Sequence, residues 1–110
     1  MKKDDNSNKI IRYEVTVSSG KSETIDAFIL WVGEEHGEDL LNCQGCFEFR
    51  VLRVSSNQAK AEYLFKNQKA LDEYFKTAAP KLRKKSLERF KGKDIRFERS
   101  SSVLELQGGR

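Results

Sequence analysis

Ile11, Tyr13, Val15 and Val17 alternate with Arg12, Glu14, Thr16 and Ser18, the period-two pattern of a strand that buries one face. Ser19-Gly20 breaks it. Ser22 is placed to cap a helix in which Ile25, Phe28, Ile29 and Val32 recur at three- and four-residue spacing, ending near His36-Gly37. A second alternation opens at Gly45, with Phe47, Phe49 and Val51 on one face and Cys46, Glu48, Arg50 and Leu52 on the other, and runs to about Val54. Ser55-Ser56-Asn57-Gln58 is turn chemistry, and Ala59, Ala61, Tyr63 and Phe65 then alternate with Lys60, Glu62 and Leu64, so the two runs predict a hairpin. Asn67 can cap a second helix through Leu71, Tyr74, Phe75 and Ala78. Pro80 ends that helix, because proline disfavours helical geometry in the residue before it, and is suited to the first turn of a third. Leu82, Leu87 and Phe90 face inward on this third helix, and Gly92 closes it. Ile95 and Phe97 restart strand alternation to about Arg99, with Val103, Leu104 and Leu106 either extending it or opening a tail.

The predicted order is β-α-β-β-α-α-β. With right-handed crossovers it closes into one four-stranded antiparallel sheet with helices on one face, an α+β fold of the ferredoxin-like type. The other face must also meet something. Cys46, Leu52, Val54 and Leu64 are expected there, too apolar a set for a fully wetted surface. A second copy of the chain packed sheet to sheet, giving a dimeric α/β barrel, is the economical partner. RNA on that face is the competitor, but the aromatic signature of an RNA-recognition sheet does not occur in the chain. Residues 1–9 read as a disordered leader, 10–106 as a single domain and 107–110 as a flexible tail.

Composition agrees with one small domain: 110 residues, 37% hydrophobic, with 7 Phe, 3 Tyr and 1 Trp to fill a core. The longest apolar run, Ala27 to Val32, is far too short to span a membrane, and no apolar segment follows Lys2-Lys3, so a cytoplasmic protein is expected. Charge adds a polarity. Residues 1–55 hold 7 basic and 10 acidic side chains, and residues 56–110 hold 14 and 7. On the third helix Lys81, Lys84, Lys85 and Arg89 form either a solvated face or a phosphate-binding stripe; the first is the expectation, since the aromatics that would stack bases are predicted to point inward.

Several stretches then line up with a known family. Tyr13-Glu14-Val15-Thr16-Val17 resembles its first strand, Trp31-Val32-Gly33-Glu34-Glu35-His36 its Trp-x-x-x-Glu-His helix end, and Gly45-Cys46-Phe47 its Gly-Cys-Phe start of strand two. Ala79-Pro80-x-Leu82-Arg83 and Arg89-Phe90 resemble the motifs that bracket its last helix. The chain is thus similar, from about Ile10 to Leu106, to an uncharacterised bacterial domain-of-unknown-function family of small dimeric α/β-barrel, ferredoxin-like proteins. The resemblance implies that fold and a homodimer, and it brings no established activity. Gly37-Glu38-Asp39 stands where the family often has Ile-Pro-Asp, and Ser86 stands where it often has a second histidine, so a two-histidine site is not carried over.

His36 is the sole histidine and the simplest acid/base group at neutral pH, with Glu35 beside it as a catalytic partner. Trp31, Cys46 and Phe47 are expected at the same end of the sheet, where they would line a pocket for a small-molecule ligand. The bland role for His36 is to satisfy carbonyls in the last helical turn. Cys43-Gln44-Gly45-Cys46 has redox-pair spacing, but it leads from a loop into a strand rather than into a helix. Two thiols and one imidazole fall short of a structural zinc site, and Gly20-Lys21-Ser22 lacks the spacing of a phosphate loop, so neither metal nor cofactor is expected. The Gly108-Gly109 tail reads as a plain flexible terminus. The functional expectation is a structural or ligand-binding homodimer, with an acid/base enzyme at His36 as the alternative and a nucleic-acid-binding module on the basic helix as the second alternative.

Overall fold

The structure, a computed structural model, describes residues 8–110; most of the predicted leader lies outside the described residues. β1 (Ile11–Ser18) buries every second residue, Ile11, Tyr13, Val15 and Val17. It is a central strand, antiparallel both to β3 (Gln58–Phe65) and to β4 (Arg96–Val103). β2 (Cys46–Ser55) pairs with β3 at one edge, which gives the sheet order β2-β3-β1-β4. This is the strand order of the ferredoxin-like arrangement that the element pattern predicts. All helices lie on one face: α1 (Ser22–Trp31) continuing into α2 (Gly37–Leu41), then α3 (Gln68–Thr77) and α4 (Ala79–Arg89).

The first helix departs from expectation at both ends. Ser22 is its first residue rather than its cap; Lys21 holds the extended cap position without a side-chain bond. At the other end it does not stop at His36-Gly37. Val32–His36 forms a π-helical turn, and Gly37, with φ −60° and ψ −42°, carries the rod on to Leu41. Gly37 serves contact rather than chain reversal, since a Cβ there would lie 2.4 Å from Cζ of Phe49. Chain reversal falls instead to Gly45 and Gly92, at φ 97° and 80°. Asn67 caps α3 as predicted, its Oδ1 accepting from the Ala70 amide at 2.8 Å. Pro80 sits in the first turn of α4, where its missing N–H costs no intrahelical bond.

β2 brings a larger correction. A bulge between Cys46 and Glu48 sets Phe47 out of register, so Cys46 turns to the helix side and is buried while Phe47 is 50% exposed. Strict alternation would have placed them the other way round. The outer face is also more ionic than its apolar positions suggest. Glu62, only 6% exposed, receives Arg50 Nε at 2.8 Å and Arg12 at 3.2 Å, and Glu14 receives Arg12 at 3.3 Å and Lys60 at 3.2 Å. These pairs run across β2, β3 and β1 and bring an otherwise costly buried carboxylate into balance. Leu52 and Val54 remain exposed beside them. β4 reaches Val103, further than the predicted Arg99, because Ser100, Ser101 and Ser102 keep their register on β1 although they carry no apolar signal.

Candidate functional site

The inner face of the sheet and the helical layer do not close completely. Tyr13 and Val15 of β1, Tyr63 of β3 and Phe97 of β4 form the floor of a small pocket, roofed by Phe28, Trp31 and His36 from the first helical rod and by Tyr74, Leu82 and Ser86 from α3 and α4, with the exposed Arg83 and Arg99 at its rim. Its free space is about 20 Å³, room for one water-sized group. The placement of His36 in this roof depends on the π-helical turn. On an α-helix, residues five apart point about 140° from each other. Here the Gly37 amide donates to Val32 O, a five-residue step, and the wider turn brings His36 beneath Trp31. The two rings stack, 4.4 Å between centroids and 13° between planes, and Tyr63 meets the imidazole edge-on at 6.0 Å.

Two polar atoms inside have no hydrogen-bond partner among the described residues: His36 Nδ1 and the Tyr63 hydroxyl. Tyr63 is 1% exposed, so its hydroxyl can find a partner only from within the pocket. Burial also decides ionisation. It lowers the His36 pKa from 6.5 to about 4, with Lys85 and Arg99 adding to the effect and Asp39 opposing it. The imidazole is therefore neutral at pH 7. Burial raises the Tyr63 and Tyr74 hydroxyls above their ordinary value, so both stay protonated. Among the described residues no Asp or Glu lines the pocket, while two cations stand at its rim, Arg83 and Arg99. Each lies over an aromatic ring, Arg83 over Phe75 at 5.9 Å and Arg99 over Phe97 at 5.4 Å.

Of the residues singled out from sequence, Trp31 and His36 meet in this pocket. Glu35 does not. It is exposed, because adjacent residues on a helix point in different directions, so no carboxylate partner comes from that position. Cys46 is buried on the inner face but outside the pocket lining, and its thiol is pushed up to about 11 by burial, which leaves it unreactive. Phe47 lies on the opposite side of the sheet, in a groove with Arg12, Leu64 and Leu104. On α4, Lys85 is tied to Asp39 at 3.1 Å and Arg89 lies over Phe90 at 5.0 Å, while Lys81 and Lys84 are exposed. Tyr63, Tyr74, Arg83 and Arg99 join the pocket without having been singled out as site residues from sequence. A lone bulky tyrosine after Ala59 and Ala61 on a buried strand face was the available signal for the first of them.

One open antiparallel sheet under one helical layer, in the order β2-β3-β1-β4, makes this an α+β protein of the ferredoxin-like class. Residues 10–104 match a domain of unknown function, DUF4286, and the chain belongs to that family. None of the curated proteins compared with it matches. Among solved structures, a dimeric ferredoxin-like protein from an uncultured marine organism superposes with TM-score 0.72 at 11% identity, covering 92% of this chain and 99% of its own. A conserved protein of unknown function from Bacteroides thetaiotaomicron, described as a possible oxidoreductase, gives 0.66 at 17% identity, covering 89% and 100%. SnoaB from Streptomyces nogalater, described as a cofactor-independent oxygenase and solved as a point mutant, gives 0.66 at 10% identity, covering 90% and 96%. At these identities the likeness is one of fold.

Proposed function

We propose that the protein is a small-molecule-binding module whose ligand enters the pocket between sheet and helices, and that it works as a homodimer packed through the outer sheet face. The observation that carries the ligand reading is the pair of unpartnered atoms, His36 Nδ1 and the Tyr63 hydroxyl, buried in one aromatic pocket. Buried polar groups are almost always satisfied, and a ligand's polar atom is one way to satisfy these two. The dimer reading is supported by the helix-free outer face, with Leu52 and Val54 exposed on it, and by a structural neighbour described as dimeric.

Acid/base catalysis at His36 is the second reading, favoured by the bare Nδ1 and by neighbours described in enzymatic terms. A base works best with a pKa near the working pH, and a histidine at about 4 is a weak proton acceptor but a good hydrogen-bond partner. Recognition is therefore preferred to catalysis. The single tryptophan lines the pocket, which makes Trp31 fluorescence a direct reporter. In a screen of small polar fragments, saturable changes in Trp31 emission that vanish in Tyr63→Phe or His36→Gln would support the reading. Unchanged emission across the whole screen would remove it. Light scattering tests the dimer, against a monomer mass of 12.7 kDa.

A further inference from the structure

The rim and the interior of the pocket differ in character, and together they narrow the ligand. The interior is neutral: protonated tyrosines, an uncharged imidazole and carbon. The rim is cationic, with Arg83 and Arg99 lacking any hydrogen bond or ion pair to a carboxylate among the described residues, although other arginines of the chain find one, such as Arg50 with Glu62 and Arg96 with Asp94. Both guanidinium groups lie over rings, which restricts their orientation before any ligand arrives. Planar guanidinium forks match planar carboxylates.

Size limits the rest. An apolar cavity of roughly 150 Å³ holds benzene, and the free space here is about 20 Å³. That space takes one small polar group of a ligand, such as a hydroxyl, and leaves the rest of the ligand at the rim. Inside, the Tyr63 hydroxyl is a donor, and the neutral His36 offers Nδ1 as an acceptor in the tautomer that carries its proton on Nε2. A single hydroxyl group can accept from the first and donate to the second, whereas a carbonyl can only accept.

Resting on the ligand-pocket reading above, we propose that the pocket recognises a compact 2-hydroxycarboxylate, its carboxylate held at the rim by Arg83 and Arg99 and its hydroxyl shared between Tyr63 and His36. The test is a set of Trp31 fluorescence titrations with glycolate, acetate and the neutral amide glycolamide. Glycolate is expected to saturate, with acetate and glycolamide each about tenfold weaker, the loss that follows from removing one hydrogen bond or one charge-assisted pair. Arg83→Gln and Arg99→Gln should each weaken glycolate about tenfold, while Arg99→Lys keeps part of the affinity; both arginines are exposed, and circular dichroism checks that the variants fold. Glycolamide binding as tightly as glycolate, or arginine variants that bind like wild type, would overturn the charge assignment, and acetate as tight as glycolate would overturn the hydroxyl. If neutral fragments move Trp31 emission but glycolate does not, the carboxylate class falls and the pocket reading stands. If no compound moves it, both fall.

Discussion

Lowering the pH should destabilise the fold through His36 well before ordinary carboxylates protonate. The side chain titrates near 6.5 when unfolded and near 4 when folded, because burial against Trp31 and Tyr63 disfavours the imidazolium. Between these values the unfolded chain binds a proton that the folded one refuses, so stability rises with pH across that window. It is complete above about pH 6.5 and lost as pH falls towards 4. At 1.36 kcal/mol per pKa unit, the full swing is about 3 kcal/mol, of which about 2 kcal/mol is already gone at pH 5. Groups around the ring modulate this: Asp39 favours the charged form, and Lys85 and Arg99 oppose it. Urea unfolding of wild type and His36→Phe at pH 7.5, 6.5, 5.5 and 5 isolates the term, since phenylalanine keeps a ring against Trp31 and cannot ionise, and carboxylate titrations common to both proteins cancel. The stability of wild type relative to the variant should fall by about 2 kcal/mol from pH 7.5 to 5. A difference that stays flat to within about 0.5 kcal/mol would refute the argument. So would a His36 Cε1 proton that titrates near 6.5 in the folded protein.

Gly37→Ala should be destabilising by about 1–3 kcal/mol in urea, although alanine is the better helix former, because the new methyl group meets the Phe49 ring; Gly37→Ala with Phe49→Leu should recover part of the loss. Asn67→Ala should lower stability by about 1 kcal/mol, with faster amide exchange confined to the first turn of α3. Leu52→Lys, on the outer face, should leave the thermal midpoint of unfolding nearly unchanged at low protein concentration and move the light-scattering mass towards a monomer; a dimer that persists would count against sheet-to-sheet packing.

How far the sequence could be read depended on whether a feature was local. β1 follows from alternation alone, the α3 cap from Asn67, and the α3–α4 break from Pro80. The bulge at Phe47 follows from how β2 must lie on β3, and nothing in Gly45-Cys46-Phe47 announces it, so the faces of Cys46 and Phe47 came out reversed. Glu62 illustrates the same limit. In sequence it is one more polar residue on an alternating strand, and only the register that sets it beside Arg50 and Arg12 explains its burial. For the site, the Trp31 and His36 pair was visible but its stacking was not, since an α-helix would have set the two rings far apart around the axis and the π-helical turn has no sequence rule. Glu35 failed as a partner for the related reason that neighbours in a helix diverge.

The strand order also governs how the chain reaches this structure. β1, made first, sits between β3 and β4, and Ile11 pairs with Val103, so its second edge has no partner until the last strand is available. Contacts this distant in sequence are slow to form because a long loop must close before they repay it. During synthesis the β2-β3-β1 portion can assemble while β1 still presents a row of open amide and carbonyl groups, the kind of edge that invites pairing with another nascent chain. Arg12 and Glu14 lie on that strand, and charged side chains on an open strand disfavour its pairing with another chain.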